Sequence, residues 1–373
     1  AIVSISLNNA STRADAAAED GTGNENTIST LVFYVFNKEG KLIQTNEFTK
    51  QTSYKFVVKV GGKEELEGMN FLVGVNQTLI AGIPTDATAF TYVKSHLSDE
   101  LVFDAFEAGN SAKGNTTTVP SLFAMSGSAL NKSVTAPVDD NDSPVTSISI
   151  EVSRFVSKVE SPKEALPAVD VNVLTEDLEE IFAQGVTDAT FALKGFVLIN
   201  GLDKSDAFST WKAESEWTGW STAGKTYLVS SLDVNDNYQT VYAGTHTGDM
   251  FIPDATTSYL YENEPKEDPS DPDLYFDKTT VNSFIIKGDL TCVGGTDEGK
   301  VVTRYWRANL IPEDDHKIYR NTIYRLTITG VNTIGYGTPK DAENEVVPKK
   351  GNASVNISIS VAKWRVKTTN TIL

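Results

Sequence analysis

The chain opens with AIVSISLNNASTR (residues 1–13), a segment in which apolar and polar residues alternate. Successive side chains of a β-strand point to opposite faces, so Val3, Ile5 and Leu7 share one face and the intervening serines share the other. Alternation of this kind predicts a strand that buries one face in a core. A nearly identical segment, NISISV, recurs at residues 356–361, close to the other end of the chain.

Two copies of one strand pattern raise the hypothesis that one copy replaces the other. The apolar face of the C-terminal copy comprises Val355, Ile357, Ile359 and Val361. A shift of one residue would point these apolar side chains toward solvent, so the register of the strand is fixed by its pattern. Because the two segments share this pattern, both fit one groove in the same register. The sequence therefore predicts a displaceable first strand and a C-terminal donor strand, and strand addition is an established mode of protein recognition.

The segment after the first strand, residues 8–29, is small, polar and acidic, and its single basic residue is Arg13. An exposed loop with a lone arginine is a good target for a trypsin-like protease. Cleavage between Arg13 and Ala14 would detach the first strand and open a groove. Four aliphatic side chains of a donor would contribute about 6–12 kcal/mol there before entropic costs, at about 1.5–3 kcal/mol each. The alternative is an ordinary first strand, an ordinary last strand and a solvated arginine, and the pattern alone is compatible with both.

The dominant hydrophobic period along the rest of the chain is two. Segments rich in β-branched and aromatic residues, bounded by turn residues, lie at 31–36, 54–60, 70–76, 147–160, 189–200, 225–231, 282–290, 300–310 and 322–331. Helical patterns are confined to residues 86–97 and 174–185. Short, regularly spaced strands of this kind predict an all-β protein built of β-sandwiches.

The length of 373 residues is sufficient for two domains, each with its own core. The polar stretch at residues 135–144 predicts the boundary. We therefore expect an N-terminal domain over 1–146, which includes the removable segment 1–13. A C-terminal domain follows over 147–373, and it includes the donor segment 352–373. An acidic, proline-rich stretch at residues 263–277 predicts an exposed loop.

Composition excludes several classes of partner. The formal net charge is −18 and the pI is near 4.6, so the surface repels nucleic acid and anionic lipid. Cys292 is the single cysteine, so an intrachain disulfide is impossible. The sequence contains no run approaching the roughly 20 apolar residues of a membrane helix. The first methionine is Met69, and we expect a processed chain that has lost an export signal.

Several motifs occur in an order that is typical of a known family. They are SLNNASTRAD at 6–15, LFAMSG at 122–127, VSRFVSKVE at 152–160, RYWRANL at 304–310, RNTIYRLTITGVNTIGYG at 320–337 and SISVAKWRVKTTNTIL at 358–373. Together they resemble the fimbrillins of Bacteroidota, the subunits of type V pili, and most closely the shaft subunits of minor (short) fimbriae. The loop at 263–277 and the tail after Trp364 match the family poorly.

The resemblance implies two transthyretin-like β-sandwich domains and a structural role. It implies export as an outer-membrane lipoprotein precursor to the cell surface, where an arginine-specific protease cuts between Arg13 and Ala14. The C-terminal strand of another copy then fills the vacated groove and builds a fimbrium that supports adhesion and biofilm formation. The implied partners are other copies of the chain, tip and anchor subunits, the protease, and host or bacterial surface receptors. A chain with both a cleavable first strand and a donor strand resembles a shaft subunit in its precursor form.

Residues suited to other chemistry are few. The three histidines, which are His96, His246 and His316, lack metal-ligand spacing. Cys292 lacks a neighbouring histidine in sequence that could activate it as a nucleophile. We therefore predict neither enzymatic activity nor a cofactor. Acidic stretches at 233–237 and 267–273 are interpreted as solvated turns, with calcium binding as the alternative. Trp211, Trp217 and Trp220 are interpreted as core packing, with an exposed sugar-stacking platform as the alternative. Two competing functions stay open: a tip or accessory adhesin that binds through this stretch, and a surface glycan-binding lipoprotein that does not polymerise.

Overall fold

The structure is a computed structural model of the chain. It describes residues 1–9, 18–20, 27–49, 51, 54–99, 123–137, 144–202, 208, 210–212, 216–218, 227–228, 231–232, 238–239, 257–312, 316–350, 352 and 354–365.

Seven strands form the first sheet. They are β1 (Ile2–Asn9), β3 (Thr30–Phe36), β4 (Leu42–Thr49), β5 (Tyr54–Val57), β6 (Met69–Val75), β7 (Met125–Lys132) and β8 (Val145–Arg154). Their order is β4-β3-β6-β7-β8-β1-β5. The first strand of the chain therefore lies inside this sheet, whereas β2 (Ala18–Asp20) belongs to another sheet.

The first sheet is rolled so that its two edges meet. Strands β4 and β5 stand at opposite ends of the order, yet the ring of Phe48 lies 5.5 Å from the ring of Tyr54 and 6.1 Å from that of Phe56. Gln44 also donates a hydrogen bond from Nε2 to the carbonyl oxygen of Val57 at 3.1 Å. Helix α1 (Ala89–Asp99) packs on the outer side of β3, where Phe90 meets Phe36 at 5.3 Å.

A second group of strands forms a two-layer sandwich. One layer contains β9 (Val156–Glu164), β10 (Asp170–Val171), β18 (Thr257–Tyr261), β22 (Thr322–Val331) and β24 (Val355–Arg365), together with β2. The other contains β11 (Asp188–Ile199), β20 (Ser283–Val293) and β21 (Val301–Asn309). Side chains of both layers share one core, in which Phe284, Trp306 and Tyr324 are fully buried.

The remaining elements are short. The paired strands are β12 (Gly201–Leu202) with β15 (Tyr227–Leu228), β13 (Thr210–Lys212) with β14 (Glu216–Thr218), β16 (Ser231–Leu232) with β17 (Tyr238–Gln239), and β19 (Tyr275–Phe276) with β23 (Val347–Pro348). The helices are α2 (Thr175–Leu178) and α3 (Pro339–Glu343), and a 3-10 turn spans Lys63–Leu66. No helix in the described part of the chain is long and apolar enough to cross a bilayer.

The two groups of strands are joined by nearly continuous chain. Strand β8 ends at Arg154 and β9 begins at Val156, so Phe155 alone separates the two sheets. The buried guanidinium of Arg154 donates from Nη1 to Oδ1 of Asn321 at 2.9 Å, and the backbone amide of Asn321 donates to the carbonyl of Val156 at 2.9 Å. The single-residue connection between β8 and β9, together with these hydrogen bonds, fixes the direction in which the chain passes from the first group of strands to the second.

The predicted all-β class is confirmed, and each predicted strand segment with described backbone overlaps one or more strands, although β5 ends at Val57 rather than at residue 60. The predicted helices occur at α1 and, over only four residues, at α2. The division into residues 1–146 and 147–373 stays a prediction. Strand β8 pairs with β1 over residues 145–152 and with β7 over residues 151–154, so residues 147–154 lie in the first sheet. The loop at 263–277 is exposed at its tip, but Asn263 is fully buried at its base.

Candidate functional site: the two terminal strands

Strand β1 occupies a slot between two neighbours. It pairs in parallel with β8 over all eight of its residues, from Ile2 opposite Val145 to Asn9 opposite Val152. It pairs antiparallel with β5 over four residues. Val3 and Ile5 have no exposed surface and Leu7 is 6% exposed, because all three face the core of the rolled sheet. The alternation of the sequence thus corresponds to real burial.

The start of β1 is fixed by backbone contacts. The amide of Val58 donates to the carbonyl of Ala1 at 2.8 Å, and the amino group of Ala1 donates to the carbonyl of Val58 at 3.2 Å. Among the described strands, β5 has β1 as its one ladder partner. Loss of β1 would therefore expose the paired edges of both β5 and β8, and unpaired backbone groups along such edges are costly when buried.

Strand β24 has a different environment. It pairs antiparallel with β22 from Val355 opposite Val331 to Lys363 opposite Thr322. Val355 is buried, but Ile357 and Ile359 are only half-buried. Both isoleucines line a cleft of about 480 Å³ that also includes Ile311. Val361 follows in register opposite Tyr324, and its side chain lies outside the described part of the structure.

A polar cluster stabilises the start of β24 (residues 354–356), here called the root of β24, and the sequence did not predict this cluster. Ser354 donates from Oγ to Oε2 of buried Glu345 at 2.7 Å, and its carbonyl accepts from the amide of Asn332 at 3.0 Å. The side-chain amides of Asn332 and Asn356 exchange hydrogen bonds of 2.9 and 3.0 Å. Burial raises the pKa of Glu345, while the bond from Ser354 and the charge of Arg307 oppose this rise.

The predicted processing site lies outside the described residues. Arg13 and Ala14 fall between the end of β1 at Asn9 and the start of β2 at Ala18. The structure thus places the two ends of that connection but not the scissile bond. The roles predicted for Arg13 and Ala14, for the displaced strand and for the donor strand remain predictions.

Two family models match the two ends of the chain that these strands occupy. The model of the Major fimbrial subunit protein (FimA) matches residues 1–61. The model of the Major fimbrial subunit protein type IV, Fimbrillin, C-terminal, matches residues 312–370. The chain thus resembles fimbrillins at both of its ends. Both models describe fimbrial subunits, which supports a fimbrial or adhesion-like protein of the cell surface.

Several solved structures are similar to the chain. A candidate cell adhesion protein from Bacteroides eggerthii is 16% identical, with 98% of this chain and 96% of that chain covered and a TM-score of 0.50. One from Parabacteroides distasonis is 14% identical over 97% and 96%, with a TM-score of 0.48. The tip fimbrial protein Mfa3 from Porphyromonas gingivalis is 14% identical over 98% and 100%, with a TM-score of 0.42. At these identities a likeness concerns the fold alone. No curated protein matched the chain.

The histidines and the cysteine considered for other chemistry lie in separate surroundings where they are described. His96 stacks on Tyr92, with ring centroids 3.7 Å apart, whereas His316 meets Phe276 at 5.3 Å. His246 lies outside the described residues. Cys292 is buried, and burial raises the pKa of its thiol, which disfavours the reactive thiolate. The fimbrial families are families of structural proteins, and the absence of enzymatic activity stays a prediction.

The alternative ligand sites are only partly described. Within residues 267–273, Glu267 pairs with Lys349 at 2.6 Å and Asp268 accepts from the amide of Ser270 at 2.8 Å, as in a turn. No group of three or more potential metal ligands occurs in the described ranges. Trp211 and Trp217 are register partners in the β13–β14 hairpin. Trp220 and residues 233–237 lie outside the residues that the structure describes.

Proposed function

We propose that this chain is a fimbrillin, the precursor of a shaft subunit of surface fimbriae, and that it polymerises by strand exchange after cleavage at Arg13. The observation that carries the proposal is the place of β1. A terminal strand that is joined to the molecule through an acidic linker forms an interior member of a sheet, between β8 and β5. Removal of such a strand leaves a groove with two hydrogen-bonding walls and an apolar floor.

The groove fits the apolar face of the C-terminal strand. Val3, Ile5 and Leu7, together with half-buried Ala1, contact the core at every second position. The donor offers four apolar residues at the same spacing, which are Val355, Ile357, Ile359 and Val361. Insertion of these four side chains would contribute about 6–12 kcal/mol before entropic costs, comparable to what loss of β1 removes.

The resting state of the donor favours exchange. Ile357 and Ile359 are half-buried beside the cleft and would become buried in the groove of a neighbouring copy. Before cleavage, β1 competes as part of the same chain and therefore at a high effective concentration. Cleavage between Arg13 and Ala14 removes this advantage because the released peptide can diffuse away. An arginine-specific protease is accordingly the trigger and other copies of the fimbrillin are the principal partners.

Further aspects of the function follow from this role. Tip and anchor subunits would occupy the ends of the polymer, and the precursor would reach the cell surface as an outer-membrane lipoprotein. Fimbriae built in this way would support adhesion to host or bacterial receptors and biofilm formation. A tip or accessory adhesin is the alternative role. Such a subunit would use its groove without donating β24.

Proteolysis tests the proposal directly. The purified fimbrillin is cut with an arginine-specific protease, the new N-terminus is sequenced, and the unboiled product is run on a gel. We expect Ala14 as the new N-terminus and a ladder of high-mass species. A trimmed monomer would contradict the shaft role.

Two variants assign the parts of the reaction. Arg13→Lys keeps the charge and should resist the arginine-specific protease, whereas trypsin should still cut it and restore the ladder. Deletion of residues 352–373 should abolish the ladder while the cleaved chain stays folded. Polymerisation of the deleted chain would show that β24 is not the donor.

A further inference from the structure

The connection between β1 and β3 passes through the other sheet of the molecule. β1 and β3 both belong to the seven-stranded sheet, but β2, which lies between them in sequence, pairs in parallel with β24. The register places Ala18 opposite Lys363, Glu19 opposite Trp364 and Asp20 opposite Arg365. A segment of the linker that carries the predicted cleavage site therefore contacts the predicted donor strand.

This contact lies where the other support of β24 ends. The pairing of β24 with β22 extends only as far as Lys363, opposite Thr322. Trp364 and Arg365, the last two residues of β24, have β2 as their one ladder partner among the described strands. A strand end that is paired on one side only frays readily, because few backbone hydrogen bonds oppose its opening.

The paired segments carry opposite formal charge. β2 ends in Glu19 and Asp20, whereas Lys363 and Arg365 are the basic residues of its partner segment. Opposite charges across neighbouring strands favour pairing. The formal charges of the two segments and their backbone register thus both favour pairing of β2 with the end of β24.

Cleavage would change how β2 is held. In the intact chain β2 is tethered on both sides, through residues 10–17 to β1 and through residues 21–29 to β3. After a cut between Arg13 and Ala14 it lies near the end of a free arm. Release of one tether increases the number of conformations open to the detached segment and so weakens a three-residue pairing.

We propose that residues 18–20 form a clip that retains the end of β24 in the intact subunit and loosens when the linker is cut. This inference rests on the proposed function. One proteolytic event then prepares both halves of the exchange: it frees the groove by releasing β1 and it frees the donor by loosening the clip. An intact subunit keeps its donor strand in place for the same reason that it keeps its groove filled.

Hydrogen exchange measured by mass spectrometry tests the clip without polymerisation. The chain is compared before and immediately after cleavage at a dilution where light scattering shows monomers. Exchange in the fragment that contains residues 363–365 should accelerate by about tenfold or more, while residues 30–36 of β3 stay protected. Unchanged exchange at 363–365 after complete cleavage would overturn the clip.

A charge variant applies the same measurement to the uncut chain. Glu19→Lys combined with Asp20→Lys should accelerate exchange at residues 363–365 by about tenfold, because it makes β2 basic like its partner segment and places a lysine directly opposite Arg365. Glu64→Lys combined with Glu65→Lys changes the net charge equally in the 3-10 turn and should leave this fragment unchanged. Equal behaviour of the two double variants would contradict the charge contribution.

A reversible lock tests the consequence for assembly. Register partners in neighbouring strands lie about 5 Å apart, within the roughly 4.4–6.8 Å between Cα atoms that a disulfide spans. Ala18→Cys with Lys363→Cys should therefore polymerise at least about tenfold more slowly when oxidised than when reduced. Thr30→Cys with Thr49→Cys joins register partners of β3 and β4 and should polymerise equally in both states.

The outcomes separate the two proposals. If the cut wild-type chain stays monomeric, the proposed shaft role fails, while the exchange data still judge the clip. If the wild-type chain polymerises and the oxidised lock polymerises equally fast, the clip fails and the shaft role stands.

Discussion

The two terminal strands share one sequence pattern and differ in what surrounds them. β1 lies between two strands, and its inward side chains are almost completely buried. Among the described strands, β24 has the long partner β22 on one side and the three-residue β2 on the other, and two of its apolar side chains are half-buried. The same alternation thus produces a core strand in one place and a partly covered strand in the other. The difference shows that neighbours in the sheet, rather than the pattern itself, decide how firmly a strand is held.

The sharpest test of this comparison removes one equivalent side chain from each strand. Ile5→Ala should lower the free energy of unfolding by about 3–4 kcal/mol, because it leaves a cavity in a closed core. Ile359→Ala should cost only about 1 kcal/mol in the uncut chain, since its side chain is only partly buried. Denaturant titration of the two variants measures both values. Equal losses would show that β24 is as firmly packed as β1.

The strands that flank the two sites offer a second comparison through glycine. A Cβ on Gly127 of β7 would overlap the carbonyl oxygen of Glu151 and lie 2.8 Å from Cγ2 of Ile150, both on β8. A Cβ on Gly330 of β22 would meet the carbonyl oxygen of Asp170 at 3.1 Å. Gly127→Ala should therefore destabilise by about 2–3 kcal/mol through overpacking, and Gly330→Ala by about 1 kcal/mol or less.

Thermal unfolding compares these glycine variants under one condition. The larger fall of the melting temperature is expected for Gly127→Ala, because β8 is the long wall of the β1 slot. A larger fall for Gly330→Ala would indicate that β24, not β1, occupies the tighter site.

The root of β24 makes the comparison dependent on pH. The folded-state pKa of Glu345 lies above its usual value of 4.5, chiefly because of burial. The folded chain therefore keeps a proton that the unfolded chain loses as pH rises above about 4.5, and stability falls until the raised pKa is passed. Glu345→Gln removes this titration and should stabilise the chain at pH 7–8 by the order of 1 kcal/mol, with little effect below pH 4.

Denaturant titrations across pH check the contribution of Glu345. The difference in unfolding free energy between wild type and Glu345→Gln should grow from about pH 4.5 upward. Ser354→Ala keeps the carboxyl group but loses its hydrogen-bond donor, so this variant should be less stable and should retain the pH dependence. A pH-independent difference for Glu345→Gln would show that Glu345 does not retain its proton on folding.

The sequence predicted what depends on local pattern. Alternation located β1 and β24 and the residues of their apolar faces, because a period of two is visible within a few residues. It did not predict the rolled edges of the first sheet, where Gln44 bonds to Val57. Nor did it predict the root of β24 at Glu345 and Ser354. These contacts join segments whose partners are set by topology, and an isolated Gln or Glu in sequence resembles any surface residue.

The smallest effect concerns the paired amides of Asn332 and Asn356. The start of β1 is held by backbone groups of Ala1 and Val58, which a side-chain substitution cannot remove, whereas the root of β24 depends partly on these two side chains. Asn332→Ala and Asn356→Ala should each cost about 0.5 kcal/mol, and a double-mutant cycle should give a coupling of about 0.5 kcal/mol. If β24 opens from this root before exchange, the cleaved double variant should polymerise about twofold faster, since 1.4 kcal/mol corresponds to roughly tenfold. If the cycle gives the full coupling of about 0.5 kcal/mol but the polymerisation rate is unchanged, β24 begins to open at its other end, beside β2.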